Sequence, residues 1–293
     1  MSSRIKHFMN SINSISVVYL MWIPYGINNL KSFVESYSSY KPGLDHQLII
    51  IFKGFKNESE LDILKEYLVS KQVSYKSLYT QDGLDIDSYL LAAEQSDKSS
   101  CLFLNTNSII LADNWLKKFA DNFTVEKTGI ISATASYQSY YSSVLANNKW
   151  QVEFKKGLKY NFIKYKLLLK ALLYWRFLFK TFPNPHVRTN AFMIHRDVFL
   201  KLQKPEIKNK IDAYRFESGR NSLTNQLLKM GLDVLLMDRE GVTYTIPQWK
   251  TSHVFWQSNQ ENLLVADNQT MIYDKATAEK KKEMTKLAWG INE

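Results

Sequence analysis

Residues 99–123, SSCLFLNTNSIILADNWLKKFADNF, decide how the rest of the chain is read. Within Ser99 to Asn105 the core Cys101-Leu-Phe-Leu104 is unbroken apolar sequence, as in a strand covered on both faces. From Ala112 the apolar residues return at positions 115, 116, 119, 120 and 123, the spacing of a helix with one buried side. Between the two patterns stands Asn105-Thr106-Asn107, two short amides around a hydroxyl. A strand passing through a polar turn into a helix is half of a βαβ unit, and such a turn is either a plain break or part of a site.

The same alternation extends in both directions. ISVVYLMWIP (15–24) reads as a buried strand ended by Pro24, and residues 26–40 carry helical spacing. HQLIIIFKGF (46–55) is a second buried strand and 59–72 a helix with Ser59 at its cap. Residues 73–80 form a short strand, 86–96 a short helix and 129–136 a further strand. Beyond these, 188–202 reads as a strand into a helix, 216–231 as one amphipathic helix stopped by Gly231, and 232–238 as a strand. The charged helix from Asp274 onward is expected at the periphery. Strands alternating with helices predict an α/β chain, with a mostly parallel sheet and helices on both faces. Ligands of such open sheets bind beyond the carboxyl ends of the strands. No linker rich in Pro, Gly or Ser and no repeat is evident. One domain over 1–293 is therefore expected, with a basic insertion at 155–182 and the peripheral helix at 274–293.

Composition narrows the function. The 293 residues are 45% hydrophobic, so a sizeable core is expected, and 14% aromatic, which suits either core or stacking surfaces. Net charge is +10, yet residues 155–182 hold seven Lys and one Arg without an acid. One local basic surface is expected, and no nucleic-acid partner. Between 158 and 180 the cations cluster on one side, with Leu168, Leu172, Trp175 and Phe179 on the other. That pattern fits a helix lying on an anionic membrane surface, or one docked on its own core with a basic outer face. No apolar run reaches spanning length, and Arg4 and Lys6 with no long apolar run before Pro24 predict no secretory signal. Cys101 is the single cysteine, read as an inert core thiol in a reducing compartment. No Gly-x-Gly-x-x-Gly follows a strand and no P-loop pattern occurs, which disfavours Rossmann dehydrogenases and P-loop ATPases.

In order, LIIIFKGF, DGLDIDSYLLAA, FLNTNSIILADNWL, GIISATASYQS, FPNPHVRTNAFMIHRDVF and FESGRNSLTNQLLKMGLDVLLMDREG resemble bacterial GT-A glycosyltransferases of the family-2-like kind. These are enzymes of capsule, O-antigen and other surface-polysaccharide synthesis. The resemblance runs from about Ile15 to Tyr273. PHVRTNAFMI followed by FESGR is its most specific part.

The resemblance implies a GT-A fold and transfer of a sugar, hexosyl or related, from a nucleotide-sugar donor to a hydroxyl. The acceptor would be a glycan or lipid-linked molecule and the reaction inverting. The location implied is cytoplasmic, peripheral at the inner membrane. The alternative is a non-catalytic glycan- or nucleotide-binding protein of the same fold.

Residue by residue, the resemblance places Asn105 and Asn107 where relatives carry the Asp-x-Asp that holds a divalent metal (Mg or Mn) and the diphosphate. With amides there, metal dependence is open, since amides offer either oxygens to a metal or N–H groups to a phosphate. Pro24, Tyr25 and Gly26 would line the base, Asp82 the base or ribose, and Lys53 would balance the diphosphate. Asp85 and Asp87 read as helix caps. His186, Arg188 and Asn190 would border the sugar and acceptor, joined by Asp267 and Asn268. Glu217 would be the base that deprotonates the acceptor hydroxyl, with Asp212 in reserve and Arg220 on the same helical face. Each has an ordinary reading beside it: a turn for Asn107, an ion pair with Arg220 for Glu217, a helix-end turn for Asp267 and Asn268.

Overall fold

The computed structural model describes residues 14–81, 83–146, 166, 169 and 172–290. Its strands are β1 (Ile15–Trp22), β2 (Gln47–Lys53), β3 (Lys76–Thr80), β4 (Ser100–Leu104), β5 (Ile109–Ile110), β6 (Thr128–Ser132), β7 (Ala135–Ser136), β8 (His186–Val187), β9 (Ala191–His195), β10 (Asp233–Met237), β11 (Thr243–Tyr244) and β12 (Val265–Ala266). Eight of them form one sheet in the order β11-β10-β6-β9-β4-β1-β2-β3. β3, β2, β1 and β4 run parallel, and so do β6 and β10. Only β9, inserted between β4 and β6, and the edge strand β11 are reversed. The architecture is the α/β arrangement expected, a mostly parallel sheet with helices on both faces.

The central strands are buried along their whole length because both faces are covered. On one face Tyr19, Ile50, Phe52 and Leu104 meet Leu30 and Phe33 of the helix Ile27–Ser39, Leu64 of Glu58–Ser70 and Phe119 of Trp115–Asp121. On the other, Leu20, Ile51 and Phe103 meet Tyr89 of the helix Asp85–Gln95 and the helices that follow β9 and β10. Cys101 is buried, and burial raises its thiol to about 12, consistent with an inert core residue.

Three local expectations are corrected. The second helix starts one residue before Ser59, at Glu58, and its cap is Asn57, whose side chain accepts the Glu60 N–H. The stretch 216–231 is two helices, Lys210–Ser218 and Leu223–Lys229. Gly219 in extended conformation ends the first, and Ser222 caps the second through the Asn225 N–H. The strand expected at 129–136 divides into β6 and β7.

The C-terminal helix Ala278–Trp289 is not peripheral: Met284, Ala288 and Trp289 are buried in the core. Trp289 packs edge-on against Tyr137 at 5.2 Å and donates its indole N–H to the Phe255 carbonyl at 2.5 Å. Most of the insertion at 155–182 lies outside the described residues. In its described part Leu172, Trp175 and Phe179 pack on Tyr140, Tyr141 and Ile211, so this side docks on the protein itself.

Candidate active site

β1, β2 and β4 end side by side, and the polar turn after β4 is fastened to its neighbours. The Asn105 Oδ1 accepts the Asn107 N–H at 2.9 Å, which makes a compact Asx-type turn. The Thr106 hydroxyl donates to the Leu20 carbonyl at 2.7 Å and accepts the Trp22 N–H at 2.9 Å. The Asn105 N–H reaches the Asn190 carbonyl at 2.9 Å, joining this turn to the segment 188–190. Asn107 Oδ1 accepts from the Asn29 side chain at 2.9 Å. Both amide oxygens already accept a hydrogen bond, and neutral amides are weaker ligands than carboxylates for a hard divalent cation, so this turn by itself fits such a cation poorly. Among the described residues no group of three or more His, Cys, Asp or Glu side chains could hold a metal. What the turn offers a ligand is amide N–H groups, suited to phosphate or sugar oxygens.

Pro24 and Tyr25 lie in a 3-10 turn closing β1, and Gly26 takes a φ of 83° that other residues rarely adopt. Tyr25 is 58% exposed, so its ring is open to stacking. Lys53 departs from the expected role. It is 2% exposed; its ammonium donates to Ser88 at 3.1 Å and sits 5.9 Å from the Trp22 ring centroid. A cation held under the surface does not directly meet a solvent-borne diphosphate; here it acts on Asp85.

Asp82 lies outside the described residues. Of the other two acids in this loop, Asp87 accepts the Leu84 N–H at 2.9 Å and pairs with Lys204 at 2.8 Å, as expected of a cap. Asp85 is not a cap, because the helix begins at Asp85 itself. Its carboxyl keeps solvent access at the mouth of a crowded recess. That crowding raises its pKa, Lys53 opposes the rise and Glu217 adds to it.

Glu217, at the end of Lys210–Ser218, is half-buried and accepts the Thr189 hydroxyl at 2.7 Å. His186 is buried with Nδ1 against the Asn184 carbonyl at 2.8 Å. Burial lowers its pKa, and Glu217 pulls the other way. The neutral ring donating from Nδ1 leaves Nε2 as an acceptor. Arg188 lays its guanidinium over Phe255 at 4.7 Å. Asn190 is buried and its Oδ1 accepts the Thr134 hydroxyl at 2.5 Å. The Arg188 Nε, the Asn190 Nδ2 and the hydroxyl of Tyr89, which feels both Asp85 and Glu217, are buried without a hydrogen-bond partner. Three orphan donors near two carboxylates are what a site leaves for an oxygen-rich ligand.

The structure does not bring the remaining candidates into this group. Arg220 lies past the end of the helix carrying Glu217; its guanidinium caps the Arg176 carbonyl at 3.0 and 3.1 Å. Asp212 pairs with Arg215 at 3.2 Å and accepts the Lys208 N–H, which commits it to the start of that helix. Asp267 caps Asn268–Asp274 by accepting the Gln269 and Thr270 N–H groups at 2.9 Å, and Asn268 is exposed. Thr189, Tyr89 and Asp85 were missed as site residues. The first two stand within the quoted stretches RTNAFMI and DIDSYLLAA, but a hydroxyl beside stronger polar groups and a tyrosine in an apolar helix drew no reading, and Asp85 looked like a cap. The segment 253–260 was also missed. His253, Trp256, Ser258, Asn259 and Gln260 all have positive φ there, and the buried amides of Gln257 and Gln260 hold it together. Its only signal in sequence is a cluster of aromatics and amides without periodicity.

His46, His186 and His195 all have lowered pKa values, with burial the first cause in each. The unfolded chain therefore binds more protons as pH falls through about 6.5, and the fold loses stability on that side. Asp85 works in the opposite sense, since its raised pKa favours the fold at lower pH. Three histidines outweigh one carboxyl, so the urea midpoint is expected to fall from pH 7.5 to 5.5. A midpoint that stays level or rises would contradict the assignment.

No protein-family profile matches the chain, and no curated protein does. Among solved structures, S. aureus TarS 1-349 is similar at 15% identity and a TM-score of 0.31, over 41% of this chain and 34% of that one. The mannosyltransferase PcManGT from Pyrobaculum calidifontis, solved with GDP-Man and Mn2+, is similar at 6% identity and 0.36, over 41% and 35%. Glucosyl-3-phosphoglycerate synthase from Mycobacterium tuberculosis, solved with Mn2+, UDP and phosphoglyceric acid, is similar at 12% and 0.44, over 76% and 68%. The chain thus spans about a third of the length of the first two proteins it resembles.

Proposed function

We propose that this protein transfers a sugar from a nucleotide-sugar donor to a hydroxyl of a glycan or lipid-linked acceptor. The observation that carries the reading is Glu217, a carboxylate oriented by Thr189 beside His186 and Asp85, in the crevice where an open α/β sheet takes its ligands. In this reading Glu217 takes the proton of the acceptor hydroxyl as that oxygen attacks the anomeric carbon. The bond from that carbon to the diphosphate breaks, and its electron pair leaves with the nucleoside diphosphate. Attack on the face opposite the leaving group inverts the anomeric centre. The amide N–H groups of Asn105 and Asn107 and the cation of Arg188 are suited to the departing charge, and Tyr25 to the base. The surface-polysaccharide role rests on the likeness of RTNAFMI and FESGR to family-2-like enzymes.

The test is a screen of nucleotide sugars for hydrolysis and for transfer to glycan and lipid-linked acceptors, with and without EDTA. Turnover of at least one donor is expected, and EDTA should leave its rate within about twofold, because neutral amides stand where a metal grip would need carboxylates. Tight donor binding without turnover of any donor would favour a non-catalytic binder. A loss above about tenfold in EDTA would restore a metal to the site.

A further inference from the structure

The segment 172–178 is a helical turn pair with two apolar sides, and only one is covered. Leu172, Trp175, Leu178 and Phe179 face Tyr140, Tyr141 and Ile211, with the Tyr140 ring tilted against Trp175 at 5.1 Å and Phe179 at 5.0 Å. Away from the protein stand Leu169, Leu173 and Phe177, four residues apart and 46%, 60% and 77% exposed, with Tyr174 beside them at 55%. Residues at this spacing share one helical face. A run of large apolar side chains open to water is a contact surface rather than ordinary exposure.

Its surroundings are basic. Lys166 and Arg176 are exposed, and the Arg220 guanidinium is fastened to the Arg176 carbonyl. A cavity of about 400 Å³ opens alongside, lined by Phe177 and Leu178 and by Lys204, Arg215 and Arg220. The run 155–182 contributes eight cations and no acid to the same part of the chain.

We propose that this face docks on an anionic phospholipid bilayer. Leu169, Leu173, Tyr174 and Phe177 enter the boundary between headgroups and acyl chains, while Lys166, Arg176 and Arg220 meet anionic headgroups. Apolar and basic groups together select this occupant. A second copy of the chain would bring like charges face to face, and a nucleic acid would gain little from Leu and Phe side chains without hydrogen-bonding groups among them. No helix among the described residues is long and apolar enough to cross a membrane. The face that docks is the reverse of the one sequence spacing selects, because Leu172, Trp175 and Phe179 already serve the protein's own packing.

The experiment is flotation of the full chain with vesicles of phosphatidylcholine alone and of phosphatidylcholine mixed with phosphatidylglycerol. Binding is expected only to the mixed vesicles and should weaken as salt rises. Leu173→Gln with Phe177→Gln should reduce it by about tenfold or more, and Arg176→Glu with Lys166→Glu should do the same. Val69→Gln, at another exposed apolar position, should leave it unchanged. All these side chains are exposed, so unfolding midpoints should stay within a few degrees of the parent, which separates lost docking from lost folding. Equal binding to both vesicles, or to neither, overturns the proposal. So does a change from oligomer to monomer in the Leu173→Gln, Phe177→Gln variant without vesicles, or loss of nucleic-acid binding in place of lipid binding. The assay uses neither donor nor acceptor, so it stands or falls apart from the sugar-transfer reading.

Discussion

Glu217→Gln is expected to lower the transfer rate about 10²- to 10⁴-fold, the range for losing a general base. The amide is nearly isosteric and keeps an oxygen to accept the Thr189 hydroxyl, so the helix end and the bound acceptor should stay in place. What disappears is the group that takes the proton. The loss should appear in kcat with donor affinity little changed, because an interaction needed only in the transition state does not alter ground-state binding. Asp212→Asn gives the contrast. Its carboxylate serves Arg215 and the Lys208 N–H, so it should cost some stability and leave kcat within about threefold. A fully active Glu217→Gln would remove this residue from the mechanism and make Asp85, the other carboxyl of the recess, the next candidate.

The second large effect concerns stability. Trp289→Ala is expected to destabilise the fold by about 3–5 kcal/mol, the range for deleting a large buried aromatic. The ring is 3% exposed and packs edge-on with Tyr137, whose own backbone N–H is bonded to the Ala288 carbonyl at 2.8 Å. Its indole N–H is held by the Phe255 carbonyl, next to the segment that supports Arg188. Trp289→Phe keeps much of the volume and loses the hydrogen bond, so about 1–3 kcal/mol is expected. Chemical denaturation of the two variants measures both numbers. A parent-like midpoint for Trp289→Ala would mean that the C-terminal helix is peripheral after all. Because Phe255 carries the Arg188 stack, the alanine variant should also weaken donor or acceptor binding before it unfolds.

Much of the sheet was legible because buried parallel strands write themselves as continuous apolar runs. LIIIF and SCLFL have no other comfortable place in a folded chain, and the helices between them carry plain three- and four-residue spacing. The break at Gly219 was less legible. FESGRNSLTNQLLKMG keeps an apolar rhythm across it, and only the extended backbone of Gly219 and the Ser222 cap show where the first helix ends. That break also separates Arg220 from Glu217, a pairing that spacing alone suggests. The C-terminal helix misled for a different reason. Its lysines and glutamates dominate the pattern, while its attachment rests on Met284, Ala288 and Trp289 along one narrow side.

The site divides the same way. Glu217, Arg188 and Asn190 could be singled out because short motifs carry them, and the turn at Asn105–Asn107 because it ends a strand. Whether a polar side chain points at a ligand or at its own backbone depends on contacts between distant segments, which no local pattern contains. Lys53 illustrates this: an exposed-looking cation after a strand turns out to be buried against Ser88 and Trp22, while Asp85, read as a cap, stands open in the recess. Sequence alone determined the alternating strands and helices, the buried core and the basic run, since each follows from local hydrophobic spacing and charge. Only the tertiary structure decided which carboxylates come within electrostatic reach of one another, which amide oxygens already accept a hydrogen bond and which side of the 172–178 helix remains uncovered, because those depend on packing between residues far apart in the chain.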